Sequence, residues 1–532
     1  MDVGILEPSS TRTKSLRTID RNDRLHRDAL TVLQPGFVGT TPPDWLRRHL
    51  GEGLGSVALF ARNVTDPQQL AALTAELRRE NPHVLVAIDE EGGDVTRLEA
   101  GNGSSWPGNL ALGAVDDPEL TRDVARELGR ALAECGVNYN WAPSADVNSN
   151  PDNPVIGVRS FGADPDLCAR HTAAWVEGLQ SVGVAACAKH FPGHGDTAVD
   201  SHLGLPVVDI DVDLLRSRDL VPFKAAIAAG AKAVMTAHIM VPALDGDRPA
   251  TLSRAVVDLL RQAPSAGGLG YQGLIVTDGI EMGAIADTYG VARGTVLAVG
   301  AGVDAICVGG GLADEETVLH LRDALVAAVR EGELPEQRLA EAAARVRELG
   351  EWTAEQGEVS GRLAPDLAIG LRAARRALRV TRQPGAGFAP VTERPYVLSF
   401  SPVPNIAVGD QTPWGVAGML AARFPGTHAE SVGPDDATPE LLPALVDRIR
   451  RESAGRPLVV VVRDLHRHAW MSRALDGVLA ERPDTAVVEM GVPRASARGA
   501  LHIATHGAAR VCGLAAVEVL TGQPTGQPTP HP

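Results

Sequence analysis

From residue 30 to residue 355 short apolar runs alternate with amphipathic stretches, the pattern of parallel strands joined by helical crossovers. Eight runs read as strands: 30–34, 56–60, 84–88, 137–141, 184–188, 233–236, 274–277 and 304–308. The helices between them are punctuated. Asp66-Pro67, Asp117-Pro118 and Asp164-Pro165 each set a capping carboxylate before a proline that needs no amide partner. Gly136, Gly183 and Gly230 stand where helices must close in left-handed backbone. Eight such units predict an α/β fold, a TIM-like (β/α)8 barrel over 30–355, with functional groups at the carboxyl ends of its strands. An open doubly wound sheet is the rival architecture.

A helical stretch at 365–379 leads to the turn-rich Gln383-Pro384-Gly385-Ala386-Gly387, so 356–391 reads as a helical linker. Beyond it the apolar runs 396–400, 458–462, 486–490 and 501–504 alternate with helical patterns such as 439–452, predicting a smaller α/β sandwich domain over 392–520. Residues 1–29 form a polar N-terminal extension. Thr521-Gly522-Gln523-Pro524 recurs as Thr525-Gly526-Gln527-Pro528, so 521–532 is expected to be a disordered tail.

Composition narrows the partners. Hydrophobic residues at 44% and charged residues at 22% are ordinary for a globular protein and exclude wholesale disorder, collagen and coiled coil. The net charge of −16 repels nucleic-acid phosphates and anionic lipid, so neither nucleic acid nor a membrane is an expected partner. No run of about 18 apolar residues and no apolar leader occurs, which predicts a cytoplasmic protein. The 5 cysteines are odd in number and widely spread, so neither a disulfide framework nor a zinc ribbon is signalled and a reducing compartment fits.

The densest chemistry follows the fifth strand, in Lys189-His190-Phe191-Pro192-Gly193-His194-Gly195-Asp196-Thr197-Ala198-Val199-Asp200-Ser201-His202. Packing does not ask for three histidines, two aspartates and a lysine in one strand-end loop. His190, His194, Asp196 and His202 are potential metal ligands. Pro192-Gly193 keeps His190 and His194 off one helical face, however, so the metalloprotease spacing fails and no metal is expected. Asp200 and His202 stand two apart, so in extended chain both project to one side and the carboxylate supports the imidazole. That is an acid/base dyad, with a structural ion pair as the plain alternative.

Two more clusters follow strands. Ile275-Val276-Thr277-Asp278-Gly279-Ile280-Glu281-Met282 delivers Asp278 to a carboxyl end, where a helix N-cap would be the ordinary role. Ala87-Ile88-Asp89-Glu90-Glu91-Gly92-Gly93, with Arg97 after it, does the same for acidic residues. Arg159-Ser160-Phe161-Gly162 and Met235-Thr236-Ala237-His238 follow the fourth and sixth strands. Five strand ends thus aim polar groups at one mouth, which independent caps do not explain.

Together these motifs resemble glycoside hydrolase family 3, specifically its β-N-acetylglucosaminidase branch; the long histidine loop is the most specific mark. The resemblance covers roughly 30–355, and the domain after 390 looks like the family's α/β sandwich. It implies an exo-acting, retaining β-N-acetylhexosaminidase with no metal or cofactor, acting on a GlcNAc-containing oligosaccharide. Asp278 matches the family nucleophile, and His202 supported by Asp200 matches the acid/base. Asp89, Arg97, Arg159, Lys189 and His190 match positions that hold sugar hydroxyls, while His194, Asp196 and His238 would be supporting. The chain departs from the family pattern at Glu90, often Gln, at Asp94, often Arg, and at Gly279, often Asp or Ala.

Two other functions compete. A histidine acid/base does not repel an anion as a second carboxylate would, so phosphate could replace water and make the protein a phosphorylase. An inactive sugar-binding or regulatory protein is the alternative of another class, against which Asp278, Asp200 and His202 stand. Chito-oligosaccharides, as in chitin degradation, and cell-wall muropeptides, as in peptidoglycan recycling, are the two expected substrate classes. In the second domain the run 459–462 is followed by Arg463, Asp464, His466, Arg467 and His468, a loop expected to lean over the barrel mouth and shape the outer subsite.

Overall fold

The computed structural model describes residues 21–199, 204–359, 364–385, 387–402 and 412–524. Eight strands follow one another in chain order: β1 (Leu33–Pro35), β2 (Ser56–Leu59), β3 (Leu85–Ile88), β4 (Tyr139–Asn140), β5 (Ala185–Phe191), β6 (Ala233–Thr236), β7 (Leu274–Thr277) and β8 (Ile306–Val308). β2 to β7 form one curled parallel sheet, β1 pairs with β8, and a parallel bridge from Val276 to Ala305 joins β7 to β8. Between β1 and β2 side chains meet, Gln34 Nε2 donating to Ser56 Oγ at 3.2 Å. The strand order never reverses, so the fold is the TIM-like barrel and not the doubly wound sheet.

Alternation along the strands sorts their residues into two cores. Val57 and Leu59 face the outer helices, whereas Ala58 joins Tyr139, Trp141, Cys187 and Met235 in a separate cluster inside the ring. Helix starts obey the predicted caps: Asp66 Oδ1 accepts from Gln69 N–H and Asp164 Oδ1 from Leu167 N–H, both at 2.8 Å.

The first apolar run divides differently from the prediction of a strand at 30–34. Leu25, Ala29 and Leu30 recur at helical spacing and are buried, so Arg21–Thr31 is a helix and the strand begins at Leu33. This helix lies against Glu315–Arg330 and Glu336–Val359, so residues 21–29 belong to the barrel unit and not to an extension. β4 is shorter than 137–141 because asparagine side chains replace ladder bonds. Asn138 accepts from Val86 N–H at 2.7 Å and donates to Val84 O at 3.0 Å, and Asn140 does the same with Glu90 N–H and O.

The second sheet contains β9 (Arg379–Arg382), β10 (Tyr396–Phe400), β11 (His428–Val432), β12 (Leu458–Val462), β13 (Ala486–Glu489) and β14 (Leu501–Ala504). Their order is β11-β10-β12-β13-β14-β9, with β9 alone antiparallel, and apolar cores cover both faces. β9 falls inside the stretch expected as linker, as does helix Ala368–Ala377, which lies between barrel helices and helix Arg510–Thr521. The edge strand β11 has too few apolar positions to announce itself; four of its five residues are exposed or half-exposed. Residues 525–532 of the expected tail are outside the described residues, while Thr521 closes the last helix. No described helix is long and apolar enough to cross a membrane.

Candidate active site

Most polar side chains of the site stand at or just after the carboxyl end of a barrel strand, while Arg97 and Arg159 come from the longer loops that follow β3 and β4. β3 runs into Asp89, Glu90 and Glu91, β5 ends in Lys189, His190 and Phe191, and β7 runs into Asp278. Adjacent residues of a regular strand point to opposite faces, yet Lys189 and His190 both line the same pocket. A register irregularity between Ala188 and Phe191 accompanies this, the local device by which a strand re-aims a side chain.

A buried charge cluster forms one wall. Arg159 donates to Glu91 through Nε at 3.0 Å and Nη2 at 2.7 Å, a two-pronged pair with side chains only 7% and 3% exposed. Lys189 Nζ donates to Glu91 Oε1 at 2.7 Å and to Asp89 Oδ1 at 2.6 Å. Burial alone would raise the Glu91 carboxyl, but Arg159 and Lys189 outweigh it and hold the group well below the usual carboxylate range. Burial would likewise lower Lys189, and Asp89 and Glu91 raise it above the ordinary lysine value instead. Glu91 and Lys189 are therefore held in their charged forms, and Asp89 stands half-buried at the pocket end of the cluster.

Histidines are held beside it. Asp146, buried and stripped of solvent, accepts from His190 Nδ1 at 2.7 Å and from His194 N–H at 2.6 Å, while Ser144 Oγ donates to it at 3.0 Å. His190 Nε2 lies 3.3 Å from Arg159 Nη2. His194 is buried, which pushes its imidazole down to about 4, and its Nδ1 lies 2.8 Å from Thr197 Oγ1. Across the pocket Asp278 Oδ1 accepts from Gly279 N–H at 2.8 Å, and Asp278 N–H donates to Thr236 O at 3.1 Å. His238 Nε2 donates to Gly279 O at 2.9 Å and so holds the turn that follows Asp278.

These groups enclose a cavity of about 240 Å³. Asp89, Arg97, Arg159, Lys189, His190 and Asp278, the binding and nucleophile positions singled out in the sequence, all line it, with Phe60, Trp141, Met235 and Met282 as apolar walls. Asp200 and His202 lie outside the described residues. Asp196 is ion-paired with Arg218 at 2.8 Å. Sequence reasoning gave no role to Glu91 or Asp146, which organise the site. Glu91 was legible as part of a strand-end motif, and two buried cations demand more than Asp89 as counter-charge; Asp146 carries no such signal, since only the fold brings it under His190. The loop after β12 reaches the barrel's strand-end loops, as expected, but does not itself line the cavity. Arg463 pairs with Asp94, His466 Nε2 donates to Pro151 O at 2.9 Å, and none of Arg463, Asp464, His466, Arg467 and His468 lines the cavity.

The glycosyl hydrolase family 3 N terminal domain matches residues 44–349, more than half of the 532 residues. The chain belongs to glycosyl hydrolase family 3. It is 39% identical over 287 residues to Beta-hexosaminidase A of Pseudoalteromonas piscicida, covering 50% of this chain and 47% of that protein. It is 38% identical over 254 residues to Beta-hexosaminidase LpqI of Mycobacterium tuberculosis, covering 47% and 64%. The chain thus spans about half to just under two thirds of these curated relatives. A family 3 β-N-acetylglucosaminidase structure from a Paenibacillus species superposes with a TM-score of 0.80 at 33% identity, over 96% of this chain and 98% of that one. That match extends over both the barrel and the second domain of this chain.

Proposed function

We propose that this family 3 protein is a retaining β-N-acetylhexosaminidase that removes a terminal N-acetylglucosamine through a covalent glycosyl-enzyme. The observation that carries the reading is the placement of Asp278 opposite the Asp89–Lys189–Glu91–Arg159 cluster in one small cavity. Sugar hydroxyls both donate and accept, so a carboxylate and an ammonium held side by side, as at Asp89 and Lys189, suit a hydroxyl pair. The volume is below the ~300–1,000 Å³ of drug-sized sites and suits one ring. In this reading Asp278 attacks the anomeric carbon from β7 while the bond to the leaving oxygen breaks. His202, supported by Asp200, would protonate that oxygen and later take a proton from the incoming water. The relatives named beta-hexosaminidase and the β-N-acetylglucosaminidase structure support the same substrate class. Five buried cysteine thiols favour a reducing, cytoplasmic setting, where chito-oligosaccharide and muropeptide fragments would be the substrates.

Replacing Asp278 with Ala should lower kcat on an aryl β-N-acetylglucosaminide by more than about 10³-fold with the fold retained. An N-acetylglucosaminyl donor fluorinated at C5, which keeps the 2-acetamido group, should label Asp278 in the wild type, and labelling of another carboxylate would overturn the assignment. Release of GlcNAc 1-phosphate in inorganic phosphate buffer, in place of free GlcNAc, would make the protein a phosphorylase.

A further inference from the structure

The loop between β3 and helix Asn109–Val115 supplies Asp89, Glu91 and Arg97 to the cavity, yet it contains little regular structure: one bridge from Gly92 to Val95 and a Gly93 N–H bond to Trp106 O at 2.9 Å. From the barrel side it is pinned by Glu90, whose Oε2 accepts from Arg97 N–H at 2.8 Å and Leu98 N–H at 2.9 Å. From the other side it is pinned by the second domain, at two points.

The first is Asp94, whose side chain is 2% exposed. Its Oδ1 accepts from Ala508 N–H at 2.7 Å and its Oδ2 pairs with Arg463, which also lies over the Trp414 ring. The second is Glu99, which ties Ser105 through N–H and Oγ, both at 2.6 Å. Arg510 crosses that turn, with Nη2 3.3 Å from Glu99 Oε1, Nε donating to Gly103 O at 3.3 Å, and a bond to Ser105 Oγ. Gly103 takes φ +77°, and a Cβ there would sit 3.2 Å from the Arg510 Cβ, so the two domains touch at backbone distance. Arg97 lies between the pins, three residues after Asp94 and two before Glu99.

We propose that Arg463 and Arg510 are positioning residues: from the second domain they clamp the β3 loop and thereby set Arg97 and Glu91 in the sugar pocket. The clamp rests on the sugar-site reading above only for its kinetic consequence. Removing Arg463 leaves Asp94 buried without its counter-charge, and the loop must move to solvate it. Arg97 and Val95, both lining the cavity, move with it. Asp278 stands on β7, so the loss falls on sugar binding more than on bond breaking.

The test compares Arg463→Ala, Arg463→Lys and Arg510→Gln with the wild-type full chain. On an aryl β-N-acetylglucosaminide, Arg463→Ala and Arg510→Gln should raise KM about tenfold with kcat within about threefold, and Arg463→Lys should restore most of the KM. Hydrogen exchange should quicken in peptides covering 90–105 and stay unchanged in the rest of the barrel. A KM within about twofold of wild type in both truncations, or quickened exchange spread over both domains, would overturn the clamp. A wild type that does not turn over the glycoside would sink the functional reading alone, because the exchange measurement still decides the clamp. Should Arg463→Ala fail to fold, Arg510→Gln carries the same two measurements.

Discussion

At Glu90 and Glu91 two neighbouring carboxyl groups, both buried, are driven in opposite directions by what surrounds them. Glu91 meets two cations and stays ionised. Glu90 meets no cation: the Leu98 and Arg97 amides and the Thr96 side chain hydrogen-bond its carboxyl, and its Oε1 has no hydrogen-bond partner among the described residues. Burial pushes Glu90 up to about 7, with the Leu98 and Arg97 amides opposing it in part. A carboxyl raised in the folded state favours folding fully below its unfolded value, and that contribution is lost as pH rises through about 7. Glu90→Gln keeps an acceptor for both amides and carries no charge. It should therefore stabilise the protein at pH 8 by up to about 3 kcal/mol, with the gain shrinking as pH falls from 7 towards 4.5. Urea unfolding at the two ends of that range checks it; a difference that does not change with pH would contradict the assignment.

At the scale of elements, the loops after β4 and β5 run against each other so closely that one position admits only glycine. A Cβ on Gly195 would lie 1.7 Å from Val147 O and 2.4 Å from Val147 C. Contacts on either side fix the approach: His194 N–H reaches Asp146 and Asn150 N–H reaches Gly195 O at 3.2 Å. Gly195→Ala must push the β5 loop away from Asp146, taking His194 and the chain toward Asp200 with it. We expect kcat/KM to fall at least about tenfold while circular dichroism stays that of the wild type. Near-normal kinetics would show that the two loops part cheaply. Strand limits follow the same local physics: Asn138 and Asn140 carry ladder bonds on their side chains, so the five-residue stretch 137–141 yields a strand of two.

Among the described residues of the histidine loop, the groups that could bind a cation are engaged with protein partners, Asp196 with Arg218 among them. His190 Nδ1 faces Asp146 and His194 Nδ1 faces Thr197. The group His428, Glu430 and Glu452, with ligand atoms within 4.8 Å, sits on the outer edge of the second sheet, where Arg448 pairs with Glu430 and Tyr396 donates to it. Excess EDTA should accordingly leave kcat/KM within about twofold. Loss of activity that returns with a divalent ion would assign the histidine loop to metal instead.

The periodicity of the first 355 residues, with its Asp-Pro starts and glycine stops, determined a barrel of eight units, because strand alternation and helix capping are local. The same locality placed Asp89, Lys189, His190 and Asp278 at strand ends and Arg159 in the loop after β4, hence at one mouth. Helix Arg21–Thr31 and strand β11 were not legible, the one because a helix and a strand share a single apolar run, the other because an exposed edge strand has little apolar pattern. Only the tertiary structure decided which charges neutralise which. Glu91 meets Arg159 across 68 residues, Asp146 meets His190 across 44, and Arg463 crosses 369 to reach Asp94. Pairings over such separations leave no periodic trace in the chain, since they depend on where whole elements pack and on which charges that packing strips of water.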